Sequence, residues 1–239
     1  MDLSREVASR LFDETVSVED FITWSGWALA RVGFRPSNCL ALVDVCRDEL
    51  MSGFDESVAR VWGRPFEIGS LAGLVFAGRT GLQAALSHVP GEDGRHRFVV
   101  FCLPHLGIDE EGEVGRVQRR GMHRGSSACG ALIGFRAELL DGQRAFVLDA
   151  DDVEQSLLRM RLALAIGDAD VPSLPELTEL TRVAAVADIR RFVELARGSE
   201  PVDVAYISGI VVHLADGVDV VADVQAEVVI DRQVIVLPH

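Results

Sequence analysis

Two hydrophobic patterns alternate along the chain. Asn38–Cys46 (NCLALVDVC) and His96–His105 (HRFVVFCLPH) are apolar runs of strand length without a polar face. Such runs form strands covered on both sides, as in a parallel or mixed sheet, and the second predicts a strand that ends at His105. Near the C-terminus, VDVAYISGIVVHL and VDVVADVQAEVVID read as two more strands joined by a turn at Asp216–Gly217. Elsewhere the apolar residues recur at helical spacing. Ser17-Val18-Glu19-Asp20 has capping-box spacing ahead of FITWSGWALARVGF, and Gly33 supplies a stop. A helical pattern follows Arg47-Asp48-Glu49 through Val58 and Trp62, and another crosses the glycine-punctuated stretch Gly69–Pro90 to a turn at Gly91–Gly94. SSACGALIGFRAELL predicts a helix with Ser126 or Ser127 as N-cap and Cys129 in its first turn, and two more helices are expected over Asp151–Ile166 and Glu176–Ala196. Strands interleaved with helices make an α/β fold. No repeat, low-complexity tract or linker divides the chain, so residues 1–239 are expected to form a single domain with a helical N-terminal segment over about residues 1–35.

Composition narrows the function classes. At 239 residues and 49% hydrophobic the chain can bury a sizeable core. A formal charge of −14 argues against nucleic-acid or anionic-membrane partners, whose affinity needs clustered positive charge. All 23 basic residues are arginine, which removes Schiff-base and P-loop lysine chemistry. No signal segment or run of membrane-spanning length is visible, so a cytoplasmic protein is expected. Four cysteines, Cys39, Cys46, Cys102 and Cys129, are too sparse for a disulfide scaffold; they are core thiols or metal ligands.

Position then singles out three residues. In α/β sheets, ligands collect beyond the carboxyl ends of strands and at helix N-termini. Cys46 and His105 lie where buried strands are expected to stop, and Cys129 where a helix starts, a place that favours thiolate. Two thiolates and one imidazole suit zinc and leave a fourth position open for water. The thiolate charges cancel those of the ion, so a further group is needed to help deprotonate that water. Asp48, two residues after Cys46, is placed to act. The same three residues would equally serve as buried core or helix caps, because free cysteine is often a small hydrophobe. Cys39 and Cys102 are read as core thiols, since residues 102 and 105 of a strand face opposite ways unless Pro104 bends it. His88 suits a helix end, while His96, His213 and His239 look like strand-edge or terminal residues. His123 is expected to be exposed, with proton shuttling as its other use. Around it, six arginines (Arg95, Arg97, Arg116, Arg119, Arg120, Arg124) against four acids form a locally positive island. That island would receive a small anion or pair within its own loop.

Cys46-Arg47-Asp48-Glu49, FAGRTG (Phe76–Gly81), PHLGIDEEGEVG (Pro104–Gly115) and SSACGA (Ser126–Ala131), in that order and with the ISGIVVHL strand, resemble the low-carbon-dioxide-inducible protein B/C family, LCIB-like zinc proteins that form a divergent branch similar to β-carbonic anhydrases. The resemblance implies a β-carbonic-anhydrase-like α/β fold: a mixed, mostly parallel central sheet flanked by helices, usually in a homodimer. It implies zinc as cofactor on Cys46, His105 and Cys129. It also implies an aspartate–arginine dyad beside the metal, with Asp48 as the acid. Ordinary β-carbonic anhydrases place the arginine two residues after the aspartate, where this chain has Leu50, so Arg47 or Arg60 is expected as partner, with Arg64 the remaining choice. The implied activity is the reversible hydration of carbon dioxide to bicarbonate by a zinc-bound hydroxide. Asp48 could alternatively close the site by taking the fourth zinc position until an arginine pairs with it. The rival reading is a non-catalytic zinc protein of the same fold, a bicarbonate sensor or assembly subunit.

Overall fold

The computed structural model describes residues 3–90, 94–119, 121–122 and 125–239. In chain order, helix α1 (Leu3–Leu11), strand β1 (Thr15–Ser17) and helix α2 (Val18–Ala30) precede β2 (Leu40–Val45), α3 (Ser52–Trp62), β3 (Phe66–Glu67) and α4 (Gly78–Leu86). Then come β4 (His96–Leu103), β5 (His105–Ile108), β6 (Arg116–Val117), β7 (Ser126–Ser127), α5 (Gly130–Leu140), α6 (Val153–Ile166) and α7 (Leu174–Arg197), and the chain closes with β8 (Val202–Leu214), β9 (Asp219–Ile230) and β10 (Gln233–Val236).

The central sheet runs β1-β9-β8-β4-β2-β3, with β10 also beside β9 and β5 prolonging β4 against β8. β3, β2, β4, β5 and β8 are parallel, while β9 is antiparallel to β8, β1 and β10. This is the mixed, mostly parallel sheet that the unbroken apolar runs call for. Phe101 of β4 packs edge-on against Phe21 of α2 and Phe54 of α3. A second apolar cluster sits where Ala8 and Phe12 meet Leu106, Ile108, Val212 and Val220. Ser17 caps α2, its hydroxyl accepting from Asp20 N–H at 3.1 Å.

The structure corrects three expectations. The β4 strand does not end at His105. It breaks only at Pro104, and β5 resumes beside β8 in the same register, with Cys102 opposite Ser208 and His105 opposite Val211. Proline surrenders one donor, yet its carbonyl still accepts from Val211 N–H at 2.9 Å. Ser126 and Ser127 are not the N-cap of a helix, because they pair with Val117 and Arg116 in a small hairpin; Cys129 itself is the N-cap of α5. His213 is not at a strand edge. It lies within β8, an interior strand, and is 5% exposed.

Candidate metal centre

Three elements deliver the cysteines and histidine. Val45 is paired with Leu103 across the parallel β2–β4 ladder, so Cys46 and His105 emerge side by side where the paired runs stop. Cys129 follows from a loop that returns through the β6–β7 hairpin. Three backbone bonds fix its approach: Gly107 N–H to Ala128 O (3.1 Å), Ala128 N–H to Gly115 O (3.0 Å) and Gly115 N–H to Gly107 O (2.8 Å). The hairpin lies so close to β5 that a Cβ on Gly107 would stand 2.1 Å from Val117 Cγ1 and 2.6 Å from Arg116 O. All three side chains are buried, and their ligating atoms lie within 4.8 Å of one another.

The sulfurs of Cys46 and Cys129 are 3.6 Å apart. The hydrogen bond from Cys129, with His105 adding to it, pulls the Cys46 thiol down to about 4 despite burial. The same bond, together with burial, pushes Cys129 up. The shared bond thus moves the two thiols in opposite directions, Cys46 down and Cys129 up. Ala72 N–H also donates to Cys46 Sγ at 3.2 Å, from a residue held at φ 58°. His105 Nδ1 lies 3.0 Å from His213 Nε2, and His213 Nδ1 lies 2.9 Å from Asp219 Oδ1. His105 Nε2 is buried without a hydrogen-bond partner among the described residues, and such an orphan asks for an explanation. A metal supplies one. Tetrahedral zinc with Zn–S near 2.3 Å sets two thiolates about 3.8 Å apart, close to the spacing seen, so the donor set fits zinc.

Asp48 adjoins this group, its Oδ2 4.0 Å from His105 Nε2. Both of its oxygens accept from Arg119 Nη2 at 2.7 Å, and Oδ1 accepts from Leu50 N–H at 3.1 Å. Burial opposes its charge, but these donors outweigh burial and hold its carboxyl below the ordinary value. Arg119 is itself pinned to Glu49 Oε1 (2.6 Å), Ser127 O (2.8 Å) and the Ser126 hydroxyl. A pocket of about 260 Å³ opens alongside, lined in part by Cys46, Asp48, Ser52, Asp55 and Glu67.

The residues that position alone selected, Cys46, His105 and Cys129, are therefore brought together, with Asp48 beside them. The expected arginines are not. Arg47 turns away to pair with Glu154 of α6 at 2.9 Å, and Arg60 donates to Ser57 Oγ at 2.8 Å on its own helix. The exposed Arg64 has no part in the pairing that Arg119 makes with Asp48. Arg119 belonged to the arginine island, whose other described members split between intraloop pairing (Arg116 with Asp109 and Glu113) and β8 (Arg95 with Asp203). Its 71-residue separation from Asp48 left no local spacing to read. His213 and Asp219 were missed too, although the Asp216–Gly217 turn sets them opposite each other. Cys102 is a buried thiol donating to Asp44 Oδ2 at 3.3 Å, and Cys39 is likewise buried. His123 lies outside the described residues.

A sequence profile of the limiting CO2-inducible proteins B/C beta carbonic anhydrases matches residues 15–230. The crystal structure of limiting CO2-inducible protein LCIB is 27% identical to this chain, covers 96% of each and superposes with a TM-score of 0.79. PtLCIB4, a homolog of that protein, is 21% identical over 98% of this chain and 99% of its own, with a TM-score of 0.85. Comparison with curated protein sequences finds no match.

Proposed function

The chain belongs to the limiting CO2-inducible proteins B/C β-carbonic anhydrase family, and on that premise we propose that it is a zinc-dependent carbonic anhydrase interconverting carbon dioxide and bicarbonate. The observation that carries this reading is the Asp48–Arg119 pair set against the buried Cys46–His105–Cys129 group. Zinc held by those three side chains supplies the Lewis acidity that lowers the pKa of water to about 7.

The protein's own groups do the rest. Asp48, kept ionised by Arg119, is an acceptor only, so it takes a hydrogen bond from the attacking oxygen and turns that oxygen's lone pair toward the carbon of carbon dioxide. Arg119 is a positioning residue. By holding both carboxylate oxygens it keeps Asp48 off the histidine nitrogen and away from the closing role that the sequence left open. The lowered thiol of Cys46 favours the thiolate that binds metal, and His105 turns a buried Nε2 with no hydrogen-bond partner among the described residues toward it. The pocket beside Cys46 and Asp48 gives a small, uncharged substrate access from one side.

Stopped-flow carbon dioxide hydration on zinc-replete protein tests the proposal, with Cys46→Ser as control. Activity that depends on Cys46 is expected. Equal rates for the two proteins would sink the enzyme reading and leave the non-catalytic alternative.

A further inference from the structure

We propose that His213 and Asp219 form a relay that fixes the tautomer of His105 and thereby sets the metal affinity of the site. The inference rests on the zinc reading above, but its core is a proton count within the chain itself. An ionised carboxylate can only accept, so the 2.9 Å contact between Asp219 Oδ1 and His213 Nδ1 requires the proton to be on Nδ1 of His213. With that single proton on Nδ1, the His213 ring presents a bare Nε2, which can only accept. Its contact, at 3.0 Å, is with His105 Nδ1. The proton of His105 is therefore on Nδ1, and its Nε2 carries a lone pair. That nitrogen is buried with no hydrogen-bond partner among the described residues, and it faces Cys46, Cys129 and Asp48.

One carboxylate at the start of β9 thus orders two protons and leaves one lone pair where a cation can take it. The fold holds the relay in place. His213 and Asp219 are direct cross-strand partners in the β8–β9 ladder, and the His105 and His213 rings sit edge to face with centroids 5.1 Å apart. Helix α1 clasps the turn between the two strands: Ser4 Oγ accepts from Ala215 N–H at 3.2 Å, and Arg5 pairs with Asp216 at 2.6 Å. His213 and Asp219 touch no reacting atom, so they are positioning residues. Partners of this kind typically change metal affinity by about 10–100-fold when removed.

Two measurements test the relay. In the first, zinc affinity is determined by competition with a chromophoric chelator for the full chain, Asp219→Asn, His213→Leu and His213→Gln. Asparagine offers a donor as well as an acceptor, so the proton order is no longer forced. Affinity is expected to fall about 10–100-fold in Asp219→Asn and His213→Leu. His213→Gln should recover part of the loss, because a glutamine oxygen can accept from His105 Nδ1; a residue that only filled space would show no such recovery. Unchanged affinity in Asp219→Asn overturns the proposal.

The second measurement reads the His105 tautomer by nitrogen NMR in the unmutated, metal-free protein. A proton on Nδ1 is expected, and a proton on Nε2 overturns the relay even if every variant misfolds. Failure of the unmutated protein to bind zinc would instead sink the carbonic-anhydrase reading, and the tautomer would still decide the relay.

Discussion

Arg119 shows why one side chain can be decisive and yet silent in the sequence. A planar fork is needed to hold both oxygens of Asp48 while reaching Glu49 and Ser127 O, and only arginine has one. We expect Arg119→Ala to lower kcat/KM for carbon dioxide hydration by about 100-fold, the cost typical of losing one preorganised polar group. Arg119→Lys should recover little of it. Arg47→Ala should stay within about twofold, since Arg47 makes a surface ion pair of small worth; stopped-flow rates on the three variants measure all of this. A second prediction concerns Asp55, whose Oδ1 is buried without a partner among the described residues. Burial, with Glu67 adding repulsion, pushes its carboxyl up to about 6. The folded state therefore binds the extra proton, and stability falls as pH rises from about 4 through 6. Asp55→Asn should be neutral at pH 4 and stabilising at pH 8 by roughly 1 kcal/mol, discounted for the solvent that reaches the group. Urea unfolding at the two pH values checks the sign.

Longer elements were easier to read than the loops that complete the site. The apolar runs of β2, β4, β8 and β9 and the periodic helices α6 and α7 declare themselves, because burial on two faces or one leaves a regular trace. Cys46 was readable because a strand ends beside it, whereas His105 stands after the Pro104 break and the sheet runs on past it as β5. The β6–β7 hairpin has only two residues per strand, too few for a period. Its position rests instead on the close approach to Gly107, which no periodicity records. Here Gly107→Ala is the critical change: the new methyl meets Val117 and a carbonyl on backbone that cannot retreat. We expect a loss of about 3 kcal/mol in unfolding free energy together with loss of stoichiometric zinc, measured by denaturation and by metal analysis. Gly134→Ala, in α5, meets nothing within 4 Å and should change neither.

Across the whole molecule, the candidate metal group gathers segments that are far apart in the chain. Cys46 and Cys129 alone are 83 residues apart. A metal that binds only the folded chain stabilises it by mass action, by about 2.7 kcal/mol at a hundredfold excess over Kd. Chelation should accordingly lower Tm by about 5–10 °C for a chain of this size. The same chelator should leave the Tm of Cys46→Ser nearly unchanged, which calorimetry reads directly. Among the described residues no helix is long and apolar enough to cross a membrane.

The register that passes unbroken through Pro104 makes β8 a ruler. His105 is located by counting hydrogen-bonded steps along that strand, so a one-residue insertion or deletion in β4 would displace it by about 3.3 Å and turn it to the opposite face. Cys129 is located differently, by three backbone bonds among Gly107, Gly115 and Ala128.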